Sequence, residues 1–521
     1  MQVTGLRVLR DLLAEHAAQT PDAPALVFER ESGEVTEFTY AQLEAQTDRL
    51  AAGFESLGVT KGQKVALRLT NRWEFVLSWF ALAKLGAVAV PIIATITQSE
   101  TDFTLERADI EVVVTDPTWV PLYQQGASPL LRHIVAVDNP DIPRQAGTVP
   151  FEQLLEAGSD YTRHDIAPRD VQQMMFTSGS TSAPKCVMLT QANAMNVGDR
   201  LARSLGLRPG DRNLSPLPFF HANCQGNAVL SSITAGATAV ILERFSVRHY
   251  WEQVRRHGAT IGTLALPGAM LALEPTELDA QNDMRMAFAG TPLPPDRTAE
   301  FEKRFGITLI LGYGLTEAST DVVITPLFAP RRSPSVGLPT PGRIVRILDD
   351  DGVEVPQGER GEVVLQAEPG DTVMLGYYKD DVATAEALHD GYLFTGDLGH
   401  FDDHGYLYFD GRKKDIIKRA GENVAALEVE NALVTHEQVL EAAVFGVPDE
   451  VLGERVMAVV ILREEDSVDE EALLAHLTPI LAPFKVPSEI EIRTELPRTG
   501  IGKIVKPQLR AEALERLGIR L

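Results

Sequence analysis

This chain of 521 residues has little cysteine, no excess of positive charge and no long uninterrupted apolar run. Each absence removes a class of function. The two cysteines, Cys186 and Cys224, form no CxxC pair, so neither a zinc knuckle nor a disulfide framework is encoded. Free thiols suit a reducing compartment, and a cytoplasmic location is expected. The formal net charge is −25, from 48 basic and 73 acidic residues, which disfavours nucleic acid or an anionic membrane as main partner. An anionic small molecule stays allowed, because local basic groups decide that. The most apolar stretch, "WEFVLSWFALAKLGAVAVPII", contains Glu74 and Lys84 and reads as a buried helix running into a strand, not a membrane span. The N-terminal "MQVTGLRVLRDLLAEHAAQTPDAP" reads as an amphipathic helix with Asp11 and Glu15 inside it, without the apolar centre of a secretory signal.

What is present is ordinary globular composition in a chain too long for one core, so two or more domains are expected. "TYAQLEAQTDRLAAGFESLGV" has helical periodicity and ends at a glycine; "KVALRL" is a short strand; helix "EFVLSWFALAKLGA" and strand "VAVPII" follow. The rhythm recurs at "ITAGATAVIL" and "FEKRFGITLILGYG". Such alternation predicts an α/β protein of layered sheets with crossover helices, with its ligand site where strand ends meet loops. From about residue 330 to 411, short strands and turn residues predict a β-rich subdomain. The expected organisation is an N-terminal core over 1–411 and a small α+β C-terminal domain over 412–521, with the boundary near Gly411–Lys414.

Four stretches carry candidate chemistry. "TSGSTSAPK", Thr177 to Lys185, follows a predicted strand; its hydroxyls, backbone N–H groups and single lysine can wrap a polyphosphate, although it lacks the Walker A spacing. The same composition suits a plain polar loop. "LGYGLTEAST" sets Tyr313 between glycines, offering a ring to a planar base. Thr316 and Glu317 then place a hydroxyl beside a carboxylate able to hold Mg²⁺; a capped turn is the plainer alternative. Asp397, read as a tight Thr-Gly-Asp turn, can accept both hydroxyls of a ribose or make an Asx turn. Lys503 follows a Gly-x-Gly turn in "LPRTGIGKIVK", where it can reach a charged centre or simply face solvent.

Together, and in this order over nearly the whole chain, the four stretches resemble the adenylate-forming superfamily of acyl-CoA synthetases, luciferases and nonribosomal-peptide adenylation domains. "FHANCQ", "IKRAGENVAALEVENAL" and "FKVPSEIEI" look most similar to its crotonobetaine/carnitine-CoA ligase branch. The resemblance implies an ATP-dependent ligase that adenylates a small-molecule acid, releases pyrophosphate and passes the acyl group to a thiol, most simply coenzyme A. It implies that Thr177, Ser178, Gly179, Ser180, Thr181, Ser182 and Lys185 hold the β- and γ-phosphates. Gly290, Thr291, Pro292 and Tyr313 would form the adenine pocket, Thr316 would contact the α-phosphate and Glu317 would hold Mg²⁺. Asp397 and Arg412 would bind the ribose, Lys503 would bridge the carboxylate and α-phosphate, and Lys414 would be the hinge of a mobile C-terminal domain that brings Gly421 to the thiol channel. His221 would gate the carboxylate entrance, with Asn223, Cys224 and Gly312 around the acid; the polar run "HANCQGN" suggests a small or polar substrate.

Two positions depart from the family pattern. Ser182 and Cys186 stand where glycine is common; a tolerated small residue leading into strand "VMLT" accounts for Cys186 better than a nucleophile, because nothing nearby in sequence lowers its pKa. Other acceptors, a carrier-protein thiol or an amine, stay open at this stage. So do an ATP-dependent diazotase that activates nitrite and a catalytically silent nucleotide-binding regulator, the last opposed by intact Glu317, Asp397, Arg412 and Lys503.

Overall fold

The βα alternation resolves into sheets whose parallel strands are joined by buried helices. The computed structural model describes residues 5–125, 128–177, 184–289, 293–420, 422–449, 451–464, 467–498 and 504–519. The chain divides into two compact units, Met1–Val345 with Leu365–Leu393, and Arg346–Val364 with Phe394–Leu521.

The first unit holds two large sheets. One runs in the order Thr308–Ile310, Met286–Ala289, Ile261–Leu264, Arg212–Ser215, Thr238–Leu242, Pro24–Glu29 and Val35–Thr39, all parallel except the last pair. The other has a parallel centre, Val171–Thr177, Val88–Pro91, Lys64–Arg68, Ile110–Thr115, His133–Ala136 and Val149–Pro150. It is extended at one edge by the antiparallel Lys185–Thr190 and Gly376–Tyr377. Parallel strands need both faces covered, which explains their near-continuous Val, Ile and Ala content.

The expected helices form. Tyr40–Ser56 starts with a capping box in which Thr39 and Gln42 satisfy each other's backbone N–H groups. Trp73–Leu85 is buried along its whole length beyond Trp73, and Lys84 inside it pairs with Glu44 at 2.8 Å and Asp48 at 2.6 Å. A charge so placed is tolerable only when paired, as here. Among the described residues no helix is long and apolar enough to cross a membrane.

The second unit centres on the hairpin Val439–Asp449 and Gly453–Leu462, with Glu489–Arg493 parallel to its second strand. Side chains alternate across it. Val444, Val456, Ala458 and Val460 pack with helices Ala426–Val434 and Glu470–Leu477, while Phe445, Val447, Met457 and Val459 pack with helix Lys506–Arg516. Gly411 and Arg412 end the strand Leu407–Arg412, and Lys413–Asp415 forms one 3₁₀ turn before the strand Ile416–Arg419.

Candidate functional site

Strands Val171–Thr177 and Lys185–Thr190 flank the hydroxyl-rich loop, and Thr177 lies opposite Lys185. Ser178, Gly179, Ser180, Thr181 and Ser182 lie outside the described residues. Cys186 faces Phe176 across the pair and is fully buried among Ile110, Tyr123 and Met174. Burial pushes its thiol up to about 12, and its carbonyl accepts the N–H of Tyr378 at 2.7 Å. The residue sits in ordinary extended backbone and serves as core, so a glycine has no conformational task there.

The edge strand Gly376–Tyr377 pairs with Lys185–Thr190, placing Tyr377 opposite Val187. The Lys185 ammonium sits 4.8 Å from the centre of the Tyr377 ring. At the ring's other end, the Tyr377 hydroxyl donates a 3.0 Å hydrogen bond to Glu317 Oε1. Burial, and then the Glu317 carboxylate, push the Tyr377 phenol well above its usual range, which keeps it a donor. One tyrosine thus connects the loop lysine and the candidate metal carboxylate.

Glu317 is held by the fold as well as by Tyr377. Strand Gly312–Leu315 turns through the 3₁₀ segment Thr316–Ala318 into the antiparallel strand Thr320–Ile324. Ser319, at φ +70°, makes the corner. The Glu317 carbonyl accepts from Met374 N at 2.7 Å, and the buried Arg343 guanidinium donates to the carbonyls of Ala318 and Thr372. The segment carrying Thr372 and Met374 is itself pinned, because Asn193 donates to the carbonyls of Asp371 at 2.7 Å and Val373 at 2.9 Å. Tyr313 is nearly buried, and Gly312 is packed so tightly that a β-carbon there would lie 2.8 Å from the Phe288 ring. Gly290, Thr291 and Pro292 fall outside the described residues.

His221 and Asn223 precede the π-helical segment Cys224–Leu230, a geometry found often at functional sites. Cys224 is fully buried, its thiol pushed up to about 12 and 3.7 Å from Ser215 Oγ. Next to it, Gln225 donates from Nε2 to the Phe219 carbonyl at 2.6 Å and accepts from Gln173 Nε2 at 2.8 Å.

In the second unit, Asp397 lies opposite Arg412 in the strand register, and the Arg412 guanidinium approaches the Asp397 carboxylate at 3.2 Å. The tight turn expected at Thr395–Asp397 is replaced by a continuous strand, Tyr392–Phe401, with Gly396 at φ +71° inside it. The neighbouring strand Gly361–Gln366 holds the segment, since Thr395 Oγ1 donates to the Val363 carbonyl at 2.6 Å and the Gly396 N–H to Glu362 Oε1 at 3.0 Å; the ladder with Leu407–Arg412 begins just beyond, at Asp397. Lys414 has its pKa lowered, by desolvation first and then by the Arg412 cation. Gly421 and Lys503 lie outside the described residues.

Sequence reasoning missed Tyr377, Arg343 and the Gln173–Gln225 pair. The aromatic "GYY" at 376–378 was the available sign for Tyr377. No local pattern marks Arg343, whose role depends on two distant carbonyls.

Residues 13–378 match the family model described as AMP-binding enzyme, and residues 428–503 match the AMP-binding enzyme C-terminal domain. The crotonobetaine/carnitine–CoA ligase of Salmonella agona is 36% identical over 520 residues, covering 98% of this chain and 100% of that protein. The anthranilate CoA ligase AuaEII in complex with anthranoyl-AMP superposes with a TM-score of 0.88 at 27% identity, covering 98% of each chain. ATP-bound MatB from Rhodopseudomonas palustris gives 0.88 at 26% identity, covering 98% of this chain and 100% of its own. The O-succinylbenzoate coenzyme A synthetase of Bacillus subtilis, in complex with ATP and magnesium ion, gives 0.82 at 28%, covering 96% and 98%.

Proposed function

We propose that this chain, which belongs to the AMP-binding, adenylate-forming enzyme family and is an AMP-forming acid–thiol ligase, activates a small or polar carboxylic acid and transfers its acyl group to coenzyme A. In the first step a carboxylate oxygen attacks the α-phosphorus of ATP, the bond to the bridging oxygen breaks and pyrophosphate leaves. In the second, the thiol attacks the acyl-adenylate carbonyl, AMP leaves and a thioester forms. The observation that carries this reading is the meeting of Lys185 and Glu317 at Tyr377. A cation and a carboxylate held at two ends of one side chain suit a polyphosphate and its metal.

The residues present fit Mg²⁺ shared with phosphate. Glu317 would hold it, and among the described residues no cluster of three or more His, Cys, Asp or Glu could hold a metal alone. One carboxylate with substrate phosphates and water is the usual magnesium arrangement. When bound, the ion neutralises charge at the transferring phosphorus. Thr316 would contact the α-phosphate. Lys185 and the loop from Thr177 through Ser182 would hold the β- and γ-phosphates. Tyr313 with Gly290, Thr291 and Pro292 would take adenine, and Asp397 with Arg412 the ribose. The 3.2 Å approach of Arg412 to Asp397 supports the last pair, since it sets a carboxylate acceptor and a guanidinium donor side by side for two adjacent hydroxyls. Lys503 would stabilise charge between carboxylate and phosphate, and His221 would position the acid. Residues 412–521 would turn about Lys414 between the two half-reactions and bring Gly421 to the thiol. We place the enzyme in the cytoplasm. Its named relatives are CoA ligases, which gives no support to the nitrite-activating alternative.

The test measures AMP and pyrophosphate release with short and aromatic acids and with nitrite, each with and without coenzyme A. CoA-dependent thioester is expected. Turnover with nitrite and an amine, indifferent to CoA, would overturn the acceptor, and absence of AMP in every arm would overturn the ligase. Lys503→Ala is expected to slow adenylation greatly and to leave transfer from preformed adenylate much less affected. Equal loss in both steps removes the role given to Lys503.

A further inference from the structure

A cavity of about 20 Å³ lies in the first unit between helix Trp73–Leu85, strand Val171–Thr177, helix Gln191–Ser204 and the π-helical segment Cys224–Leu230. It is bordered by Ala222, the neighbour of His221, and by Ser319, which follows the Thr316–Ala318 turn. Asn223 and Cys224, expected around the acid, are not among its walls. Four of its lining side chains, Trp79, Gln172, Gln173 and Ser319, are at most 3% exposed. Each carries a buried polar atom without a hydrogen-bond partner: Trp79 Nε1, Gln172 Nε2, Gln173 Oε1 and Ser319 Oγ. Unpaired buried polar groups are costly, and four around one space indicate a ligand that completes them.

The relay behind the cavity fixes the sense of one of them. Gln225 Nε2 donates to the Phe219 carbonyl, so its Oε1 is the acceptor turned to Gln173 Nε2. Gln173 Oε1 is therefore left to accept, while Trp79 Nε1 and Gln172 Nε2 can only donate. No ionisable side chain among the described residues lines the cavity. The buried Asp321, next along the chain from Thr320, accepts instead from Asn227 at 2.7 Å.

We infer that this cavity receives the far end of the acid substrate and selects an uncharged group that both donates and accepts, a hydroxyl or a primary amide. The inference rests on the proposed function, which places the carboxylate near His221 and Thr316. A hydroxyl donates to Gln173 Oε1 and accepts from Trp79 or Gln172. An ammonium cannot accept, a second carboxylate cannot donate, and either buries a charge with no counter-ion. A quaternary ammonium makes no N–H or O–H hydrogen bond and finds one aromatic ring, Trp79, instead of a cage. An alkyl end leaves all four atoms unpaired. A space of this size takes roughly one water or the last one or two heavy atoms of a tail.

The experiment is acid-dependent ATP–pyrophosphate exchange on the full chain. The acids are matched sets of three, four and five carbons ending in methyl, hydroxyl, primary amide, ammonium, trimethylammonium or carboxylate. At the best length the hydroxyl or amide acid is expected to exceed its alkyl isostere in kcat/KM by about 10-fold or more, with the charged ends lower still. Gln172→Leu is expected to lower kcat/KM for the hydroxyl or amide acid and to raise it for the alkyl isostere. A merely structural role would lower both together, and that result would overturn the inference. So would an alkyl or trimethylammonium acid that matches or beats the neutral polar one at every length. Exchange with such acids leaves the ligase reading standing; no exchange with any acid removes both.

Discussion

Tyr377 donates a 3.0 Å hydrogen bond to Glu317, joining the edge strand that pairs with Lys185–Thr190 to the turn that displays the carboxylate. Hydrogen bonds to charged groups contribute about 1.5–3 kcal/mol. Tyr377→Phe keeps the ring under Lys185 and removes only the hydroxyl. Adenylation is expected to fall roughly 10- to 100-fold, with a raised magnesium requirement. A magnesium titration of ATP–pyrophosphate exchange checks it, and an unchanged titration would show that Glu317 needs no orienting partner.

Lys84 is fully buried between Glu44 and Asp48. Removing the cation leaves two largely buried carboxylates beside each other, where burial already raises the Glu44 pKa. Lys84→Met is expected to destabilise the first unit by about 3–5 kcal/mol, read by denaturant unfolding. Adding Glu44→Gln and Asp48→Asn should restore part of the loss.

Cys186 is core, with its thiol pushed up to about 12. Cys186→Ala is expected to keep adenylation and thioester formation while costing about 1 kcal/mol of stability. Alkylation with iodoacetamide on the native enzyme should be slow at this thiol. Loss of turnover in a variant that folds would reinstate a chemical role.

Asp321 is buried beside Arg200 and Arg343 and accepts from Asn227, yet burial dominates and raises its carboxyl to about 6. The folded chain therefore keeps this proton in a range where the unfolded chain has released it. The associated stabilisation is complete below about pH 4 and is lost as pH rises to about 6, a change of roughly 3 kcal/mol. Asp321→Asn removes the titration. Unfolding free energies of both proteins across this range should show the difference, wild type minus variant, falling as pH rises. A flat difference would mean that Asp321 is ionised throughout.

Some of this was open to reading along the chain. Helical periodicity at 40–56, the charged interruption of the apolar run at Lys84 and the strand before Thr177 all formed as expected, because local period and burial decide them. The Thr-Gly-Asp segment did not become a turn, since Val363 and Glu362 of the neighbouring strand hold Thr395 and Gly396 in extended pairing, which outweighs the local preference of glycine.

By itself the sequence determined which chemical groups exist and in what order: a hydroxyl-rich loop ending in Lys185, then Tyr313, Thr316 and Glu317, then Asp397, Arg412 and Lys503. Order along a chain carries family and reaction type. Only tertiary structure decided which distant residues hold those groups still. Tyr377 lies 60 positions from Glu317, Arg343 spans carbonyls at 318 and 372, and Gln173 meets Gln225 across 52 residues. These contacts arise from strand pairing and helix packing between remote segments, so no local spacing encodes them.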